Sequence, residues 1–373
     1  MSECMYPAMK IDKINIYPFN IDTEEVFKIA TMSLSGAKNV LVEIRTNQGL
    51  TGWGEASPFR SITGETQGIN LAAAVELRGA LLGKNPLEVI TRTEEMEAWL
   101  PFNTTIRSAF DMAIYDIASQ AAGLPLYAFL GGTRRPVETD LTIGIGTAEE
   151  AVEKTKKILN KGFRIIKTKV GISIEDDLKR LRAIRETAGP DVKIRIDANQ
   201  GWDRVTAVHC LESYKELDIE FCEQPVRARD FEGMKYVSDH SSIPIMADES
   251  VFSPSDALEI VRTQAAPLIN IKLSKSGGIS AGLKIAHIAQ AGYITCMTGC
   301  MSESGLANTA FTHFAMANSV VKYFDLDANE GHVNEPIKGG AVFDKGHVIV
   351  PDDPGIGATP EPDFIKKLSR EKI

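Results

Sequence analysis

Three carboxylates and three lysines recur through the middle of the chain at nearly even intervals. They lie in Lys167-Thr168-Lys169, Asp197-Ala198-Asn199, Glu223-Gln224-Pro225, Asp248-Glu249-Ser250 and Asn270-Ile271-Lys272. From Lys169 to Asp197 is 28 residues, then 26 to Glu223, 25 to Asp248 and 24 to Lys272. Asp197, Glu223 and Asp248 are hard oxygen donors, the composition a Mg2+ site wants. Without a cation, three carboxylates converging in a low-dielectric mouth repel and raise one another's pKa. Lys167 and Lys169 are two apart, so on a strand their side chains share a face. Lysines crowded by a divalent cation and by each other are expected at depressed pKa, which suits bases acting near neutrality. Asp325 and Asp327 repeat the i, i+2 spacing, and two carboxylates facing one way would suit a primary ammonium.

These residues need a scaffold that brings strand ends together. Each motif closes a short apolar, β-branched run, such as Arg164-Ile165-Ile166 before Lys167 or Leu268-Ile269-Asn270-Ile271 before Lys272. A period of about 25 residues alternating strand and helix is the rhythm of a β/α barrel, whose strand C-termini converge on one mouth. The pattern predicts strands near 139–145, 163–169, 192–197, 219–223, 244–248, 268–272, 293–297 and 321–325. Helices are predicted between them, at 148–160, 174–187, 204–216, 230–240, 255–262, 279–290 and 303–317. Eight strands with seven helices make a (β/α)7β barrel, an α/β fold without its last helix. Lys169 and Lys272 then stand on opposite walls. Thr142 on the first strand and Cys300, Ser302, Glu303 and Ser304 after the seventh are candidate rim contacts.

The 373 residues exceed what the barrel needs. Ile11 to Tyr17, Phe27 to Met32, Val40 to Thr46 and Leu50 to Glu55 read as antiparallel strands, the last two joined by a turn at Asn47-Gln48-Gly49. Helical patterns over 68–82, 86–100 and 104–122 follow. We expect a capping α+β domain over 1–133, the barrel over 134–328, and a tail over 329–373 that returns to the cap. That tail is rich in Gly, Pro and Asn, and cannot form an eighth barrel helix.

Composition narrows the partners. A net charge of −9 gives no support to nucleic-acid or anionic-membrane binding. No apolar run reaches the roughly 18 residues of a membrane span. The five cysteines form no paired motif, which suits a reduced, cytosolic protein. Gly144-Ile145-Gly146 and Ser276-Gly277-Gly278 are neither a dinucleotide fingerprint nor a phosphate loop. The six histidines show no ligand spacing.

Taken in order, Lys-x-Lys, Asp-Ala-Asn, Glu-Gln-Pro, Asp-Glu-Ser and Asn-Ile-Lys resemble the enolase superfamily in its muconate-lactonising branch. The likeness extends to Gly52-Trp53-Gly54-Glu55 and Leu124-Pro125-Leu126. Asp325-Leu326-Asp327 is similar to the Asp-x-Asp of dipeptide epimerases, among them those acting on L-Ala-D/L-Glu and on hydrophobic dipeptides. The resemblance implies an isomerase. Mg2+ on Asp197, Glu223 and Asp248 would chelate the dipeptide carboxylate, and Asp325 and Asp327 would hold its α-ammonium. Lys169 and Lys272 would exchange the α-proton on opposite faces, with Lys167 stabilising the enolate. It also implies a homo-oligomer. Relatives specific for alanyl-glutamate place an arginine where Met32 falls here, which points to an apolar C-terminal side chain. A cycloisomerase, an N-acylamino-acid racemase or o-succinylbenzoate synthase could use the same barrel. Asp325 and Asp327 argue against these, since their substrates have no free ammonium at that spot. A non-catalytic Mg2+-dependent binding protein would not need a base on each face.

Overall fold

The structure is a computed structural model that describes residues 9–29, 33–333 and 335–368. The chain opens with an antiparallel sheet of β1 (Ile11–Lys28), β2 (Ser33–Thr46) and β3 (Thr51–Ala56). The sequence places a separate strand over 27–32. Instead β1 runs unbroken to Lys28, and an irregularity in its pairing with β2 between Asp22 and Phe27 absorbs the change of direction. Met32 lies outside the described residues.

Three helices cover this sheet: α1 (Gln67–Leu81), α2 (Val89–Trp99) and α3 (Thr104–Ala121). The third is buried along most of its length, and β3 lies almost on its backbone. Glycines make that approach possible. A Cβ on Gly52 would come within 2.1 Å of the Ala113 carbonyl oxygen, and one on Gly54 within 1.8 Å of that of Ala109. A single turn, α4 (Leu126–Phe129), follows Pro125 and is too short to show a helical period.

The barrel alternates as its sequence rhythm predicts. Its first half contains β4 (Leu141–Ile143), α5 (Ala148–Asn160), β5 (Ile165–Lys169), α6 (Ile174–Ala188), β6 (Lys193–Asp197), α7 (Arg204–Tyr214) and β7 (Ile219–Glu223). Its second contains α8 (Phe231–His240), β8 (Ile245–Ala247), α9 (Pro254–Thr263), β9 (Leu268–Ile271), α10 (Leu273–Ser276), α11 (Ile279–Ala291), β10 (Thr295–Gly299), α12 (Gly305–Ala317) and β11 (Val321–Asp325). The short α10, just after Lys272, was hidden in the β9–α11 connection.

The eight strands pair in parallel from β4 to β11. Among the described residues no strand ladder joins β11 back to β4 and no eighth barrel helix follows β11, and side chains close that seam instead. Thr139 Oγ1 accepts the Leu326 amide at 2.8 Å, and Asp327 Oδ2 accepts that of Thr142 at 2.7 Å. Arg195, inside the barrel, donates to Asp140 and to the Phe324 carbonyl, both at 2.8 Å. Its guanidinium lies 5.2 and 5.4 Å from the ring centres of Phe221 and Tyr323, which fill the interior with Met246, Leu268 and Met297.

The tail returns to the cap. β12 (His332–Val333) pairs with β1 at Asp22 and Thr23. Buried Asp116 accepts the amides of Trp53 at 3.0 Å and Ile356 at 2.8 Å, tying β3, α3 and the tail together. No helix among the described residues is long and apolar enough to cross a membrane.

Candidate active site

Asp197 and Glu223 end β6 and β7, and Asp248 follows β8, all three buried at neighbouring positions around the mouth. Their surroundings hold each carboxylate from behind. Asp197 Oδ1 accepts the Asn199 amide at 2.9 Å, and Glu223 Oε1 accepts Asn270 Nδ2 at 2.6 Å. Gln224 Oε1 receives the amides of Asp248 and Ser250 at 2.9 and 3.1 Å, while its Nε2 donates to Ser250 Oγ and the Val226 carbonyl. The side chain between Glu223 and Pro225 therefore fixes the start of the next loop.

Lysines face these carboxylates. Lys167 Nζ lies 2.6 Å from Glu223, 3.3 Å from Asp197 and 2.7 Å from Asp325. Lys169 meets Asp197 at 2.6 Å, and Lys272 meets Asp248 Oδ2 at 2.8 Å. Glu223 Oε2 and both Asp248 oxygens are buried and ion-paired but have no donor aligned for a hydrogen bond. Burial, with Asp197 adding to it, pushes the Glu223 carboxyl up to about 7. Hard oxygen donors on consecutive strand ends, with lone pairs left without an aligned donor, fit a Mg2+ ion.

A different trio lies closer together. Among the described residues, the ligand atoms of Cys300, Asp325 and Asp327 are within 4.8 Å of one another. That set is a poor metal site. Burial holds the Cys300 thiol well above its ordinary value, so it stays neutral, and Asp325 already carries Lys167.

In the protein without its cation, two lysines are held high. Burial favours neutral amines, yet Asp325, Glu223 and Asp197 outweigh it and hold Lys167 well above the usual lysine range. Asp248 and Glu223 do the same for Lys272. The depressed values expected from sequence are for lysines that face a bound cation and one another. In the protein alone the carboxylates win.

Asp325 and Asp327 converge with Lys169 and Lys272 on one cavity of about 290 Å³, which Thr142, Cys300 and Ser302 also line. Burial opposes ionisation of Asp325, but Lys167, Lys272 and Lys169 together outweigh it and hold the carboxyl down at about 2. Asp327 is pushed up, by burial first and then by Asp325. Phe59 and Met301 add apolar wall.

Glu303 and Ser304 are not rim contacts. Glu303 turns inward to Ser274 Oγ at 2.6 Å and to the Met301 amide. Ser304 caps α12, and its amide and hydroxyl meet Glu55 of the cap. Asn39 donates to Glu55 at 2.6 Å and to the Ser302 carbonyl at 2.8 Å, so the first sheet holds the loop after β10.

Several supporting residues escaped the sequence reading. Arg195 is two residues before Asp197 on β6, so the same-face rule applied to Lys167 and Lys169 would have put it inside the barrel. Gln224 and Asn270 sat in recognised motifs without a role. Nothing in the spacing marked Asp140.

Comparison with known proteins agrees with this geometry. The mandelate racemase / muconate lactonizing enzyme N-terminal domain matches residues 13–131, and the enolase C-terminal domain-like model matches 150–364. A D-Ala-D/L-Ala epimerase of Cytophaga hutchinsonii is 37% identical over 364 residues, 97% of this chain and 99% of its own. A hydrophobic dipeptide epimerase of Enterococcus faecalis is 43% identical over 338 residues, 89% of this chain and 94% of its own. The crystal structure of the Cytophaga hutchinsonii dipeptide epimerase complexed with Mg and D-Ala-L-Val superposes with a TM-score of 0.95 at 37% identity, covering 97% of this chain and 99% of that one. The chain belongs to the mandelate racemase / muconate lactonizing enzyme family, within the enolase-like fold.

Proposed function

We propose that the protein is a Mg2+-dependent dipeptide epimerase that inverts the α-carbon of the C-terminal residue of an L-Ala-Xaa-type dipeptide, with Xaa apolar. One observation carries this reading. Lys169 and Lys272 come from the second barrel strand and the end of the sixth, and they line the same cavity as Asp325 and Asp327. Relatives named dipeptide epimerases, one of them for hydrophobic dipeptides, support it.

In this reading Asp327 and Asp325 hold the substrate ammonium and orient the α-carbon between the two lysines. Lys169 Nζ, as the amine, takes the α-proton into a new N–H bond, and the C–H electron pair remains on the substrate as the enolate. Lys272 Nζ, as the ammonium, returns a proton to the opposite face and becomes the amine; the other enantiomer runs the steps in reverse. Lys167 keeps a positive charge near the developing oxyanion. Mg2+ held by Asp197, Glu223 and Asp248 would supply the charge that binds the substrate carboxylate and stabilises the enolate.

The apolar preference is supported by Phe59 and Met301 in the cavity wall. A dipeptide library incubated in D2O with Mg2+, read by mass spectrometry, tests the whole proposal. Single-deuteron uptake in Ala-Leu-type dipeptides is the expected result; uptake confined to N-acylated amino acids would replace it with a racemase. Four buried free thiols among the described residues support the expected cytosolic location, and analytical ultracentrifugation tests the expected homo-oligomer.

A further inference from the structure

Two lysines three residues apart grip the same carboxylate in different ways. Lys272 reaches Asp248 Oδ2 at 2.8 Å and lines the cavity. Lys275 reaches Asp248 Oδ1 at 2.7 Å, is 0% exposed, and does not line the cavity. Its ammonium also donates to the Asn270 carbonyl at 2.9 Å and to the Asp248 carbonyl. It thus has one ion-pair partner and two carbonyl acceptors, and Phe252 closes over it with its ring centre 5.8 Å away.

The local chain is built to make this turn. Lys272 starts α10, and the single turn to Ser276 carries Lys275 back beneath the ends of β8 and β9. Gly277 and Gly278, at φ +93° and +113°, end that turn, with both amides returning to the Leu273 carbonyl. Asn270, whose carbonyl Lys275 takes, uses its side chain to hold Glu223. One buried ammonium thus ties Asp248 directly, and Glu223 through Asn270, to a single point.

We infer that Lys275 is a positioning residue for the divalent cation: it keeps Asp248 Oδ1 and leaves Oδ2, on the side of Lys272 and the cavity, for the metal. The inference rests on the Mg2+ reading given above. It separates the work of the two lysines. Lys272 is placed to trade protons with substrate, while Lys275 is sealed from the cavity and keeps the carboxylate oriented throughout. Residues that orient a ligand from behind typically carry about 10–100-fold in metal affinity.

Isothermal titration calorimetry of metal-free protein with MgCl2 tests this on wild type, Lys275→Met and Arg180→Met. Arg180 is the control, since it is also buried and grips the carbonyl of Lys169 and Asp177 but none of the three metal carboxylates. The expected result is a Mg2+ dissociation constant raised at least tenfold in Lys275→Met and within about twofold of wild type in Arg180→Met. The Mg2+ concentration for half-maximal turnover should rise in parallel with the dissociation constant. A folded Lys275→Met with the wild-type constant, or equal weakening in both variants, would overturn the inference. Should Lys275→Met fail to fold, Lys275→Gln keeps donors for the carbonyls without the charge and is expected to show the same weakening. If Lys275→Gln also failed to fold, Lys275 would be a folding residue and the inference overturned. A wild-type protein that bound no Mg2+ would overturn the metal reading itself, a distinguishable result.

Discussion

Lys167 Nζ sits 2.7 Å from Asp325 Oδ2 and 2.6 Å from Glu223 Oε2, so one ammonium joins the proposed metal end of the site to the proposed ammonium-binding end. Asp325 is therefore only partly available to substrate. Asp327, whose side chain meets the Thr142 amide at 2.7 Å and the Cys300 thiol at 3.6 Å, has no ion-pair partner among the described residues.

That asymmetry separates the two clamp residues. A charge-assisted contact is worth roughly 1.5–3 kcal/mol, or about 10- to 150-fold. Asp327→Asn should cut kcat/KM for Ala-Leu by about that factor and leave the low activity on N-acetyl-Ala-Leu unchanged. Asp325→Asn should lower both, because Lys167 loses a partner. Steady-state kinetics on the two substrates decides. Equal efficiency of wild type on both would remove the ammonium site.

The carboxylate trio makes a second test. Asp197→Asn, Glu223→Gln and Asp248→Asn should each abolish turnover and weaken Mg2+ binding, with thermal melts showing a folded protein. Wild-type turnover should disappear on chelation and return with added Mg2+. Turnover that survives exhaustive chelation would remove the metal from the mechanism.

The cap–barrel contact should show in stability against pH. Burial pushes the Glu55 carboxyl up from 4.5 to about 8, against hydrogen bonds from Ser304 and Asn39. A raised folded value means the contribution is complete below about 4.5 and is lost as pH climbs through 8. Glu55→Gln mimics the protonated carboxyl and cannot ionise. Wild type should lose stability relative to Glu55→Gln between pH 5 and 8, by up to a few kcal/mol. Parallel melting curves across that range would show that Glu55 is already ionised.

Gly54→Ala probes the packing of β3 on α3. Its Cβ would press on the Ala109 carbonyl, a backbone atom that cannot rotate away. Overpacking of this kind costs about 1–3 kcal/mol or more, and denaturant titration should show it. An unchanged midpoint would mean that the sheet lifts off the helix freely.

The barrel was legible because its signals are local and periodic. Runs such as Ile194-Arg195-Ile196 before Asp197 fix strand ends to within one or two residues. β1 was harder, since its irregular pairing near Asp22 looks like a break in a single sequence. The site's outer support was harder still. Glu303 and Ser304 are polar residues after a strand, which reads as a rim, and only Ser274 after β9 and the cap's Glu55 explain why the first turns inward and the second is covered. The lysine charge states were unreadable, because they depend on distances to Asp325, Glu223 and Asp248 that no spacing encodes.

The central claim is that Lys169 and Lys272 serve opposite faces of one α-carbon. Lys169→Ala and Lys272→Ala, incubated separately with L-Ala-L-Leu and L-Ala-D-Leu in D2O with Mg2+, test it by proton NMR at the leucine α-position. Each variant should fail to epimerise yet exchange the α-proton of one stereoisomer, a different one for each variant. Exchange of the same stereoisomer by both variants would contradict the account.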